Sequence, residues 1–133
     1  MKGKEERSGT WFLRVRADFS ASHQLRHYGG KCEALHGHNF QVEVEVCGKD
    51  LDFETGILID FKILKQHLQT VLDKLDHKHL NDLDEFREDN PSSELLAKFI
   101  FQQMKKLLAG ERVKLSYVMV AEKNSSMAFY RED

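Results

Sequence analysis

The sequence predicts an α+β domain: a four-stranded antiparallel sheet with two helices on one face, in the order β-β-α-α-β-β. Three observations predict it. Two segments near the N-terminus alternate apolar and polar residues with period two. Two central segments repeat apolar residues at helical spacing, each behind a plausible cap. Two further alternating segments close the chain, separated by a short polar turn.

Residues 1–10 carry no apolar pattern and are expected to be a flexible tail, leaving 11–133 as a single domain. From Trp11 to Phe19 the odd positions are apolar, while Arg14, Arg16 and Asp18 fill even ones, as a half-buried strand requires. His27-Tyr28-Gly29-Gly30-Lys31 is a loop. The second strand runs from about His38 to Cys47, through Phe40, Val42, Val44 and Val46. Turns follow at Gly48-Lys49-Asp50 and Glu54-Thr55-Gly56. Asp60 then caps a helix whose stripe is Ile63, Leu64, Leu68, Val71, Leu72 and Leu75, with His67 within or beside it as a packing residue or a solvated edge; the helix should end near Leu75. Asn90 as cap and Pro91 at the first helical position open the second helix. Its buried face is Leu95, Leu96, Phe99, Ile100, Met104, Leu107 and Leu108, and Gly110 stops it. Val113 to Glu122 and Met127 to Arg131 are the last strands.

Composition narrows the function classes. The chain has 133 residues, 41% hydrophobic and 32% charged, with a formal net charge of -2, a globular balance without the basic surplus of a nucleic-acid binder. No apolar run approaches the ~18 residues of a membrane span, so the expected setting is cytoplasmic, with neither nucleic acid nor membrane as partner. Two cysteines, Cys32 and Cys47, make no disulfide framework. Cys47 shares a strand face with Glu43 and Glu45 and reads as passive; Cys32 lies in an irregular polar stretch where reactivity is worth weighing.

The chemistry concentrates in Cys32-Glu33-Ala34-Leu35-His36-Gly37-His38-Asn39. If extended backbone begins at His36, both imidazoles point one way with Cα atoms about 6.6 Å apart, within reach of one ion at bonds of roughly 2.1 Å. His23, closing Phe19-Ser20-Ala21-Ser22-His23, offers a third nitrogen, and three histidines with an open position describe a catalytic zinc site. An isolated His-x-His is more often two ordinary histidines, one buried and one exposed; the neighbouring cysteine, the upstream histidine and a later Asp76-His77 pair move the balance to a metal. A carboxylate beside a histidine suits proton transfer, although for Asp76-His77 alone a helix-end histidine favoured by the dipole is the better reading, and His79 is weaker still. Glu122 ends an apolar strand; its carboxylate could accept two hydrogen bonds from an amidine-like edge such as a guanine or pterin ring, or could simply be solvated.

In this order and at these spacings, Phe19 to His23, Cys32 to Asn39, Gly56-Ile57-Leu58-Ile59-Asp60-Phe61, Leu75-Asp76-His77-Lys78-His79-Leu80-Asn81-Asp82, Asn90-Pro91-Ser92-Ser93-Glu94 and Glu122 resemble the 6-pyruvoyl-tetrahydropterin synthase family. The resemblance covers Phe12 to Arg131 and is nearer to its bacterial branch, the 6-carboxy-tetrahydropterin synthases of queuosine biosynthesis, because only three residues separate Cys32 from His36. It implies a tunnelling (T-fold) domain joined edge to edge into a homo-oligomer with active sites between subunits. It implies Zn2+ on His23, His36 and His38, a proton-transfer group of Cys32, Asp76 and His77, and Glu122 as pterin anchor, with Ser92 and Ser93 along the pocket. By its place in the motif His79 is not catalytic. The implied substrate is 7,8-dihydroneopterin triphosphate, converted to 6-carboxy-tetrahydropterin, acetaldehyde and triphosphate, or alternatively to the pyruvoyl product by triphosphate elimination. A non-enzymatic zinc module, in which Cys32 and the three histidines close a structural site, is the alternative from another class.

Overall fold

The computed structural model describes residues 9–27 and 36–133, and of His36 the backbone alone. Strand β1 is Trp11–His23 and β2 is His36–Gly48. They form a long antiparallel hairpin in which Val15 faces Val44, Ala17 faces Val42 and Phe19 faces Phe40. Residues directly opposite in such a ladder share a face. The row that fills the core therefore continues, two and four residues on, into Ala21 opposite His38 and then His23, whose backbone pairs with that of His36.

Helix α1 (Phe61–Leu72) begins where Asp60 Oδ1 accepts the Lys62 N–H at 2.8 Å, as predicted. Leu64, Leu68, Val71 and Leu72 are buried on the sheet, while Ile63 at the stripe's edge stays 38% exposed. The helix stops at Leu72, earlier than the predicted Leu75, and a run of tight turns carries the chain to His77. There the backbone enters the left-handed region, φ 59°, uncommon for a residue with a Cβ. The His77 N–H donates to the Ser20 carbonyl at 2.5 Å, which fastens the turn to β1.

The next residues, Lys78–His79, form β3, a two-residue strand parallel to β1 with Ala21 opposite Lys78 and Ser22 opposite His79. This corrects the predicted four-stranded antiparallel sheet. The sheet has five strands in the order β3-β1-β2-β4-β5, and β3 interrupts the two helices in the chain. A two-residue bridge has no periodicity to read; the left-handed turn and the edge of β1 create it.

Helix α2 (Ser93–Leu107) is capped by Ser92, whose Oγ accepts the Leu95 N–H at 3.2 Å. The predicted cap, Asn90, is engaged elsewhere: its side chain accepts from the Arg26 N–H at 2.8 Å and donates to the Arg26 carbonyl at 2.9 Å. Pro91 therefore lies before the helix. Leu96, Ala97, Ile100, Phe101 and Met104 are buried, whereas Leu107, predicted in the stripe, is 37% exposed.

Strands β4 (Lys114–Lys123) and β5 (Ser126–Tyr130) complete the sheet beside β2, with Val42 opposite Val120 and Val44 opposite Val118. Gly48 suits the end of β2, because a Cβ there would lie 2.7 Å from the Leu58 side chain and 3.1 Å from the Arg112 carbonyl, and Leu58 would have to shift. Gly56, at φ 69°, takes the left-handed turn before Ile57. Among the described residues no helix is long and apolar enough to cross a membrane.

Candidate metal centre and proton-transfer dyad

The site lies where the apolar row of β1 and β2 ends in histidines. Phe19 and Phe40 stack with ring centroids 4.9 Å apart, and Phe40 meets the rings of His23 and His38 edge-on at 5.3 and 5.7 Å. This aromatic floor fixes both imidazoles. His23 is fully buried, and its Nδ1 lies 2.8 Å from the Pro91 carbonyl oxygen. A carbonyl only accepts, so Nδ1 carries the hydrogen and Nε2 is turned to the site, the arrangement usual for a metal-binding histidine.

Glu122 reaches the same place from β4. Ala121 pairs with Met127 and Lys123 with Ser126, so Glu122 is the extra residue of a bulge, a device that re-aims a side chain. Its Oε1 lies 3.3 Å from His23 Nε2 and its Oε2 3.3 Å from His38 Nε2. Burial lowers the pKa of the His23 imidazole, but the Glu122 carboxylate and the Pro91 carbonyl outweigh it and the net shift is upward. The ligand atoms of His23, His38 and Glu122 all lie within 4.8 Å of one another, a cluster that can hold a metal ion. Two imidazole nitrogens and a carboxylate suit zinc by donor type.

The second group adjoins it. Asp76 Oδ1 accepts the Ser20 N–H at 2.9 Å, and Asp76 Oδ2 lies 3.0 Å from His77 Nδ1. The Ser20 N–H above all, then His77, holds the Asp76 carboxyl below its usual range. The ionised carboxylate orients the ring through Nδ1 and leaves Nε2 for chemistry; the His77 side chain is 81% exposed. His79 is anchored differently, with Nδ1 2.9 Å from Ser22 Oγ. An open depression of about 520 Å3 is lined by Ser20, Ser22, His38, Asn39, His77 and His79, among others, so one residue of the cluster, His38, and one of the dyad, His77, border the same space.

Of the residues predicted from sequence, the structure brings together His23, His38 and Glu122, pairs Asp76 with His77, and lines one depression with His38 and His77. The backbone pairs His36 with His23; its side chain lies outside the described residues, as does Cys32 altogether. Ser92 caps α2, and Ser93 begins it. Sequence reasoning missed the Pro91 carbonyl, the Ser20 backbone and the contact of Glu122 with the imidazoles. The first two are main-chain groups, which no side-chain motif announces.

Residues 12–133 match the family model described as 6-pyruvoyl tetrahydropterin synthase. The chain is 40% identical over 98 residues to a 6-carboxy-5,6,7,8-tetrahydropterin synthase from Synechocystis, covering 71% of this chain and 74% of the relative. It is 37% identical over 109 residues to a dihydroneopterin monophosphate aldolase from Pyrococcus furiosus, covering 82% and 87%. The solved structure of the Caenorhabditis elegans 6-pyruvoyl tetrahydropterin synthase superposes with a TM-score of 0.84 at 26% identity, over 94% of this chain and 97% of that one.

Proposed function

From the premise that the chain belongs to the 6-pyruvoyl tetrahydropterin synthase family, enzymes that act on pterins, we propose that it is a zinc-dependent 6-carboxy-5,6,7,8-tetrahydropterin synthase. It would convert 7,8-dihydroneopterin triphosphate to 6-carboxy-tetrahydropterin, acetaldehyde and triphosphate, as a cytoplasmic step towards queuosine. The observation that carries this reading is the convergence of His23, His38 and Glu122 on one point beside the Asp76–His77 dyad.

His23, His36 and His38 would hold the zinc. When bound, it supplies Lewis acidity that stabilises negative charge on a substrate oxygen. Asp76 holds the His77 ring through Nδ1, and His77 Nε2 moves protons to and from the substrate side chain. Cys32 completes the proton-transfer group by its place in the motif. Glu122 receives the amidine edge of the pterin, and Ser92 and Ser93 flank the pocket from the start of α2. The homo-oligomer, with sites between subunits, is supported by the sheet edges: among the described residues, β1 has outer-edge sheet partners only at Ala21 and Ser22, and an open edge invites pairing.

Incubation with 7,8-dihydroneopterin triphosphate and mass analysis of the product tests the reaction. The 6-carboxy product supports it. The pyruvoyl product would move the chain to the alternative favoured by its likeness to the Caenorhabditis elegans enzyme, and no turnover by zinc-loaded protein would overturn both. Sedimentation checks the assembly; an active monomer at assay concentration would contradict it.

A further inference from the structure

We propose that Glu122 is itself a ligand of the metal in the substrate-free protein, and that it leaves the metal to take the pterin. The proposal rests on the zinc and pterin-anchor roles above and adds an exchange between them.

The distances carry it. Charge-assisted hydrogen bonds between imidazole and carboxylate run at about 2.7–2.9 Å. Both separations here are 3.3 Å. Bonds of about 2.0–2.1 Å around a tetrahedral ion put neighbouring ligand atoms about 3.4 Å apart. The two contacts thus have the length of a tetrahedron's edge. The tautomer agrees. With Nδ1 donating to Pro91, a neutral His23 turns the lone pair of Nε2 towards a carboxylate oxygen. In the neutral ring two acceptors face each other; a proton on Nε2 or a metal ion between them resolves the arrangement, and the 3.3 Å spacing is that of the ion.

The carboxylate is also fully committed. One oxygen faces His23 and the other faces His38. Two hydrogen bonds from a pterin amidine edge would need the same two oxygens. Serving both at once would divide one negative charge among four partners, so pterin entry draws Glu122 off the histidines. That withdrawal frees a coordination position only when substrate is present. By linkage, pterin then weakens the hold on zinc and zinc weakens the hold on pterin, through Glu122 alone.

The test uses the full chain and its Glu122→Gln and Glu122→Ala variants, titrated with zinc against a chromophoric chelator, with and without pterin, which has no side chain to react. Without pterin, both variants should bind zinc at least about 10–100-fold more weakly, the loss caused by removing even an outer partner of a metal ligand. The visible bands of the cobalt(II) form should change between wild type and both variants. Pterin should weaken zinc binding in the wild type and leave it unmoved in Glu122→Gln. Equal zinc affinity and equal cobalt spectra in all three proteins would overturn the proposal. Variants that lose zinc affinity, with a wild type indifferent to pterin, would keep the ligand and overturn the exchange. A wild type that binds no zinc would overturn the metal reading together with this one.

Discussion

Carboxylates stand at two places on this sheet, and their surroundings make them opposites. Glu43 and Glu45 lie mid-strand on the face away from the helices, 5% and 7% exposed. Every partner they meet is a donor. Arg16 Nε donates to Glu43 Oε1 at 2.7 Å, the Tyr117 hydroxyl donates to Glu43 Oε2, and Arg14 Nε donates to Glu45 Oε1 at 2.8 Å. Arg14 also lies over the Tyr117 ring, 5.7 Å from its centroid. Burial pushes the Glu43 carboxyl up, but Tyr117 and Arg16 draw it below its ordinary range. Burial and the same contact push the Tyr117 hydroxyl up to about 12. Glu122, on its bulge at the end of β4, instead meets two imidazole nitrogens. The first cluster is closed by the chain itself. The second gathers two imidazole nitrogens and a carboxylate, a set that can hold a cation. The neighbours of a carboxylate thus separate the two: guanidinium and hydroxyl donors close the first, while two imidazoles, each able to turn a lone pair to an ion, leave the second open to one.

The contrast can be broken, and the largest test is His23→Ala. The variant should lose its zinc and its turnover while keeping its fold, measured by metal analysis and circular dichroism. Full zinc occupancy would remove the cluster from the metal centre. His77→Asn should keep the zinc and lose about 10²–10⁴-fold in rate, the usual weight of a positioned proton-transfer group. Asparagine tolerates the left-handed backbone found at His77, so this change isolates the ring. Normal turnover would leave His77 a turn residue and nothing more.

The donor-closed cluster should respond in stability alone. Tyr117→Phe is expected to cost about 1.5–3 kcal/mol at neutral pH in urea unfolding, the range for a hydrogen bond to a charged group, with zinc content and turnover unchanged. Its pH dependence has a definite sign. The folded state raises the Tyr117 pKa to about 12, above the ordinary value of about 10. The stabilisation is therefore complete below about pH 10, and is lost as pH rises through about 12. The wild type should lose stability across that window, and the phenylalanine variant should lose less; parallel curves would dissolve the Tyr117–Glu43 link. The smallest effect belongs to Arg14→Ala. Its side chain is 61% exposed, solvent screens such a pair, and urea unfolding should move the least of the four.

The sequence by itself determined the long strands, the helices and the identity of the chemical groups. Alternation from Trp11 to Phe19 and from His38 to Cys47 allowed only a half-buried strand, and the Asp60 cap needed no tertiary partner. Periodicity and capping are local forces, and they act within a few residues of the pattern that displays them. The same locality explains the misses. Asn90 looked like a cap because a cap is judged by its neighbours, yet Arg26, 64 residues away, takes its side chain, and Ser92 caps the helix. β3 exists because His77 turns left-handed and gives its N–H to Ser20. Within the site, sequence named His23, His38, Glu122, Asp76 and His77, since histidine and carboxylate chemistry is written in side chains. Only the tertiary structure decided who meets whom. The hairpin register aligns His38 with Ala21, the bulge turns Glu122 towards two imidazoles, and the Pro91 carbonyl fixes the His23 tautomer. Those distances depend on long-range packing of separate elements, which no local pattern encodes.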